Sequence, residues 1–132
     1  MRTRTPNVRD PRAVAGSGAG GGLSGGLWAA LGAELVPGAR CVLQALGFNA
    51  RLERARSVIV GEGRLDAQTE AGKAIAEICS EARIAGCRVD AIVGRNELDL
   101  AARQRLGLAS VREASSPDEL EAAALELALT LA

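Results

Sequence analysis

From residue 57 onward, short apolar runs alternate with stretches in which apolar residues recur every three and four positions. That is the hydropathy pattern of a β-α-β-α-β-α chain. Val58-Ile59-Val60 reads as a strand covered on both faces, because β-branched residues fill it without a polar break. A glycine-spaced acidic loop, Gly61 to Gln68, then leads into a helix from Glu70 to about Ala85. In that helix Ala71, Ala74, Ile75, Ile78, Cys79 and Ala82 form one stripe, and Glu70, Lys73, Glu77, Ser80, Glu81 and Arg83 lie opposite. Gly86 stops it. Arg88 to Val93 is the next strand, with Gly94 as its turn and Asn96 capping a helix that buries Leu98, Ala101 and Ala102. Gly107 follows that helix, and Leu108 to Val111 is a third strand. Ser116-Pro117-Asp118-Glu119 has the form of a capping box with proline at the first helical position. The closing helix sets Leu120, Ala123, Ala124, Leu127, Ala128 and Leu131 on one face.

Upstream the pattern weakens. Residues 1–15 hold four arginines and two prolines with little periodicity, and read as a poorly ordered leader. Residues 16–56 form a glycine-rich loop followed by short helices. Leu23, Leu27, Ala30 and Leu31 share a helical face. Pro37 starts a second helix with a buried stripe of Cys41, Val42, Ala45 and Leu46, ended by Gly47. Asn49 caps a third piece reaching Ala55. Residues 57–132 are then the parallel α/β core of a single three-layer α/β domain, with helices covering a three-stranded sheet. Three strands leave unpaired edges, so another chain, an absent segment or a second copy is expected to complete the sheet.

Composition changes this picture mainly by exclusion. The 132 residues are 48% hydrophobic, enough for one globular core, and Trp28 and Phe48 are the only aromatics. A formal net charge of +0 argues against nucleic acid or an anionic membrane as partner. No apolar run has the length of a membrane span or follows the start as a secretory signal would, which predicts a cytoplasmic protein. Cys41, Cys79 and Cys87 have no metal-like spacing and read as free thiols. With no histidine in the chain, imidazole bases and histidine-ligated zinc are excluded, and chemistry falls to carboxylates, Lys73, arginines, hydroxyls and backbone amides.

The strand-to-helix corner is where such groups gather. Gly61 and Gly63 permit unusual backbone angles and close approach of a ligand. Asp66 and Thr69 can accept bonds from free amides of the next helix. A corner of this kind sits at the carboxyl end of a parallel sheet, on the same rim as Gly94. Glu62 and Asp66, four residues apart, suit a magnesium ion or a substrate hydroxyl. They suit equally a helix cap at Asp66 and an ion pair of Glu62 with Arg64. Lys73, the only lysine, lies on the polar face near the helix start, where it either reaches an anion or is simply solvated. Two glycine motifs fail on context. Gly16-x-Gly18-x-x-Gly21 lacks the strand that a dinucleotide fingerprint needs before it. Gly72-Lys73 has Ala67 and Ala74 where a P-loop needs glycine and a hydroxyl. A glycine loop whose amides face an anion is the surviving functional reading of residues 16–22, beside that of a flexible linker.

Gly61-Glu62-Gly63-Arg64-Leu65-Asp66-Ala67-Gln68-Thr69, followed by Ala71-Gly72-Lys73-Ala74, resembles the signature segment of the glycerate kinase family. Gly16-Ser17-Gly18-Ala19-Gly20-Gly21-Gly22-Leu23, Leu31-Gly32-Ala33-Glu34-Leu35-Val36-Pro37-Gly38 and Ala45-Leu46-Gly47-Phe48 fit it in the same order. The likeness runs from Gly16 to Gly94. It implies half of a Rossmann- or flavodoxin-like arrangement, and transfer of the terminal phosphate of ATP, with magnesium, to glycerate. It further implies catalytic roles for Asp66, Glu62 and Lys73. Contacts to substrate or phosphate fall to Gly61, Gly63, Arg64, Gln68, Thr69, Gly18, Gly20 and Gly21, and magnesium to Glu62 and Asp66. The family's amino-terminal Asp-Ser-Phe-Lys-Gly-Ser motif has no counterpart here, which points to a truncated or split kinase. The alternative is a non-catalytic remnant that binds a small anion or oligomerises.

Overall fold

The structure, a computed structural model, describes residues 9–70 and 74–131. They fall into two compact units, one ending at Cys41 and one beginning at Val42. In the first, α1 (Leu23–Leu31) buries Gly25 and Ala29 and ends at Gly32 in the left-handed region. This reverses the expected face: Leu23, Leu27 and Leu31 are exposed. The small residues are chosen because backbone packs against backbone there. A Cβ on Gly25 would lie 2.8 Å from the Ser17 carbonyl oxygen and 3.1 Å from Pro11 Cβ. Arg9 stacks 4.1 Å from the Trp28 ring and donates to the Trp28 carbonyl at 2.9 Å, so residues just upstream of the glycine loop dock on α1.

The helix α2 (Gly38–Ala45) starts after Pro37 as expected, but its predicted stripe is not buried. Cys41, Val42, Ala45 and Leu46 are all exposed. α3 (Phe48–Leu52) is introduced by Gly47 at φ 63°, not by Asn49. Asn49 lies inside the helix and donates to Glu81 Oε2 at 2.9 Å.

The sheet is parallel, in the order β1-β2-β3, with β1 Ser57–Leu65, β2 Arg88–Asn96 and β3 Leu108–Glu113. Between them run α4 (Ala67–Glu70), α5 (Ala74–Ile84) and α6 (Leu100–Leu106), and α7 (Pro117–Leu131) closes the chain. Side chains alternate along a strand. On one face Val60, Val89, Ala91 and Val93 pack with Ile75, Cys79 and Ala82 of α5 and Ala102 of α6. On the other, Ile92 packs with Ala123 and Leu127 of α7. Helices on both faces make the three layers. α7 rests on β2 and β3, and its Leu120, Ala124 and Ala128 are exposed, against expectation. Ile59 of β1 is 53% exposed, so this strand is not covered on both faces as its sequence suggested.

Strand lengths are the second difference. Gly61 to Leu65, expected as a loop, continues β1, pairing through Leu65↔Asn96. Neither Gly61 nor Gly63 has a positive φ. Gly94, expected as a turn, lies within β2, where an added Cβ would stand 2.6 Å from the Gly63 carbonyl oxygen. Close approach of two backbones, not a turn, accounts for that glycine. Asn96 is likewise no helix cap. Its side chain bonds to Leu98, and Asp99 caps α6 by accepting from the Ala102 amide at 2.7 Å. Gly86 and Gly107, both with positive φ, end α5 and α6 as expected. The capping box holds in part. Ser116 accepts from the Glu119 amide at 3.3 Å, while Glu119 reaches back to Ser115.

One polar network crosses the sheet beside α7. The pairing slips between Val89↔Leu108 and Asp90↔Ser110, making Ala109 the extra residue of a bulge. The slip turns Ser110 toward Asp90 across the ladder. Asp90, fully buried, accepts two bonds from Arg88 at 2.7 and 2.8 Å and one from Ser110 at 2.6 Å. Arg112 then donates to Ser110 at 2.8 Å and pairs with Glu126 of α7 at 3.6 Å. Burial raises the pKa of the Asp90 carboxyl, but the bonds from Arg88 and Ser110 and the charges of Arg88 and Arg112 outweigh it. The net result is a value below the usual carboxylate one.

Candidate functional site

β1 delivers the signature segment to the carboxyl end of the sheet and hands it to α4. Asp66 makes that corner: its Oδ1 accepts from the Gln68 amide at 2.9 Å and its carbonyl from the Thr69 amide at 2.9 Å. The expected cap at Asp66 is therefore present. Thr69 acts differently from expectation. Fully buried, its hydroxyl accepts weakly from the Asp66 amide at 3.4 Å and donates to Glu62 Oε2 at 3.2 Å. Thr69 thus ties the acidic strand position to the corner. Arg64 pairs not with Glu62 but with Asp66 Oδ2 at 3.3 Å, and more loosely with Glu97 at 3.9 Å.

Five of the predicted residues, Glu62, Arg64, Asp66, Gln68 and Thr69, therefore form one continuous polar cluster, flanked by the exposed glycines Gly61 and Gly63. Lys73, with Ala71 and Gly72, lies outside the described residues. Gly18, Gly20 and Gly21 belong to the first unit. Their loop wraps Ser24, whose hydroxyl lies 2.7, 3.0 and 3.1 Å from the carbonyl oxygens of Gly16, Ser17 and Ala19. A cavity of about 610 Å³ beside it is lined by Gly16, Ala19, Ser24, Glu34, Leu35 and Pro37 among others. Smaller hollows of about 280 Å³ lie against α3 and α5 and between β3 and α7. Glu62 and Asp66 line none of these three; they stand on the open rim of the sheet.

The rim also holds residues that the sequence reading did not single out. Arg95 is the direct register partner of Arg64, and it pairs with Glu97 at 3.3 Å. The Glu97 amide is fixed to the Leu65 carbonyl at 2.8 Å, and Glu113 of β3 accepts from the Asn96 amide. A signal for Arg95 was present: Gly63-Arg64 and Gly94-Arg95 repeat one dipeptide at the ends of two apolar runs.

Electrostatically the rim mixes signs: among the described residues it sets two guanidinium groups (Arg64, Arg95) among four carboxylates (Glu62, Asp66, Glu97, Glu113). Among the described residues no group of three or more His, Cys, Asp or Glu is placed to hold a metal ion. Buried Cys79 is no nucleophile, since desolvation pushes its thiol up to about 11. What the cluster can do is orient a carboxylate beside a corner of free main chain and offer arginines to an anion.

Comparison with known proteins matches this layout. The model of the glycerate kinase family matches residues 2–131, reaching past Gly16 and Gly94 into both ends of the chain. A glycerate kinase of Halalkalibacterium halodurans is 43% identical over 86 residues, which are 65% of this chain and 23% of that protein. One from Bacillus cereus is 34% identical over 115 residues, covering 86% of this chain and 30% of the relative. The crystal structure of a Salmonella typhimurium LT2 protein assigned as glycerate kinase 2 superposes with a TM-score of 0.54. Its identity is 36%, over 74% of this chain and 24% of that one. The chain thus spans less than a third of the length of each of these proteins. With the signature corner, the parallel sheet and a family match over nearly every residue in agreement, the chain belongs to the glycerate kinase family.

Proposed function

We propose that the chain forms part of an ATP-dependent glycerate kinase, whose Gly61–Thr69 corner walls the cleft for a small anionic substrate. The observation that carries this reading is the link from Thr69 to Glu62, which orders an acidic group at the carboxyl end of the sheet. Glu62, held through one oxygen, accepts the proton of a glycerate hydroxyl with the other. Asp66 keeps the corner in shape and directs Arg64. Arg64, Gln68, Thr69 and the main chain of Gly61 and Gly63 contact the substrate, and Lys73 neutralises phosphate. Gly18, Gly20 and Gly21, in the first unit, offer backbone amides to an anion in this reading.

Magnesium fits these residues only in its sparse mode, where one or two carboxylates join phosphate and water oxygens. Glu62 and Asp66 would hold it, and its charge would offset that of the ATP phosphates. The protein is cytoplasmic in this reading. Among the described residues no helix is long and apolar enough to cross a membrane.

The test is a coupled assay with ATP, magnesium and D-glycerate, run on the chain alone and mixed with the complementary portion of a relative. Glycerate-dependent turnover is expected, and Glu62→Gln should lower kcat by about 100-fold or more. A second reading, a non-catalytic domain that binds a small anion or pairs with a second copy, is favoured by the edge of β1, unpaired among the described residues, and its exposed Ile59. Turnover absent in both arrangements, with a dimer seen by light scattering, would select it.

A further inference from the structure

Arg64 and Arg95 stand directly opposite each other on neighbouring strands. Like charges so placed, about 5 Å apart, repel each other and weaken the pair of strands that carries them. Glu97 intervenes, with one carboxylate oxygen lying 3.3 Å from Arg95 Nε and 3.9 Å from Arg64 Nη1. The hold is loose: the arginine side chains are 59% and 73% exposed, and surface ion pairs of this length are weak. Behind the arginines the main chains of Gly63 and Gly94 approach closely, and a Cβ at Gly63 would touch nothing. The Glu97 amide is fastened to Leu65, so its backbone stays near the gap whether or not its carboxylate occupies it.

We propose that Arg95 and Arg64 form a two-guanidinium clamp for a carboxylate or phosphate oxyanion, and that the Glu97 carboxylate is an internal occupant which the ligand displaces. The inference rests on the glycerate kinase reading for its natural ligand, and adds Arg95 and Glu97 to the site. Two planar forks facing one gap match the geometry of an oxyanion better than they match a single shared carboxylate oxygen. Asp66 is not the group displaced, since Gln68 engages its other oxygen.

A clamp with an internal occupant has a signature that a merely structural ion pair lacks, because its two halves respond in opposite directions. Calorimetric titration of the full chain with inorganic phosphate, D-glycerate and glycerol reads it. Arg95→Gln should raise the dissociation constant for phosphate about tenfold or more, by loss of a charge-assisted contact. Glu97→Gln should lower it, and Arg95→Lys should fall between wild type and Arg95→Gln. Arg54→Gln, an exposed arginine outside the rim, should change nothing, and thermal melts of every variant check folding. Glycerol, without an oxyanion, should not bind. D-glycerate following the same order identifies the carboxylate as a ligand; phosphate alone following it assigns the clamp to phosphoryl oxygens. The clamp is overturned if wild type binds neither anion, or if Arg95→Gln and Glu97→Gln shift affinity in the same direction or not at all. Opposite shifts without glycerate-dependent turnover would keep the clamp and discard the kinase reading. Turnover whose KM ignores both substitutions would do the reverse.

Discussion

Asp90 is the most exacting place to test the physical account of this fold. Its carboxylate is fully buried and takes three bonds of 2.6 to 2.8 Å, two of them from a guanidinium. Asp90→Asn keeps the shape and one bond to Ser110 but removes the charge that holds Arg88. Breaking a buried ion pair by losing one partner costs about 3–5 kcal/mol. Arg88 is 40% exposed and can turn to water, which brings the estimate down to about 2 kcal/mol. Asp90→Ala also strands the Ser110 hydroxyl and should cost about 3 kcal/mol. For a chain of this size about 2 kcal/mol is a fall in Tm of roughly 6–10 °C. Urea unfolding followed by circular dichroism measures the difference directly.

The pH dependence supplies a second arm. The folded carboxyl lies below its ordinary value of 3.8, so the stabilisation is complete above that pH and disappears as pH falls through the folded value. The gap between wild type and Asp90→Asn should therefore be constant near neutrality and close in acid below about pH 4. A difference under about 0.5 kcal/mol at pH 7, or one that widens in acid, would refute the role given to this network.

Three further outcomes follow from the same coordinates. Gly94→Ala should destabilise the chain by about 1–3 kcal/mol, because its new methyl meets the fixed Gly63 carbonyl at 2.6 Å; an unaffected urea midpoint would contradict the close approach. Asp99→Ala should cost about 1 kcal/mol as a lost helix cap, and Asn96→Ala should not reproduce the loss of α6 protection in hydrogen exchange. Iodoacetamide at pH 8 should label exposed Cys41 in the folded chain and spare Cys79, whose thiol is buried and pushed up to about 11; rapid labelling of Cys79 by mass spectrometry would show that the core is open.

How much of the site was legible depended on which interactions were local. The Asp66 cap could be read from the chain because donor and acceptor are two residues apart. The link from Thr69 to Glu62 could not, since it requires β1 to run on through Gly61–Leu65 before the corner. Arg64 meets Asp66 and Glu97 in place of Glu62, because the Thr69 hydroxyl engages Glu62 and the pairing of β1 with β2 brings Glu97 within reach.

Periodicity alone determined the alternation of strands and helices, which is a property of a few consecutive residues, and the helical crossovers between strands then imply a parallel sheet. Tertiary structure alone decided which apolar faces were covered. The leucines of α1 and the stripe of α2 are exposed, whereas Gly25 and Ala29 are buried, because burial depends on what packs opposite and not on hydropathy. It also decided the bulge at Ala109, the burial of Asp90 and the meeting of Arg64 with Arg95. Each of these is set by register between strands about twenty or more residues apart, and no local pattern encodes that register.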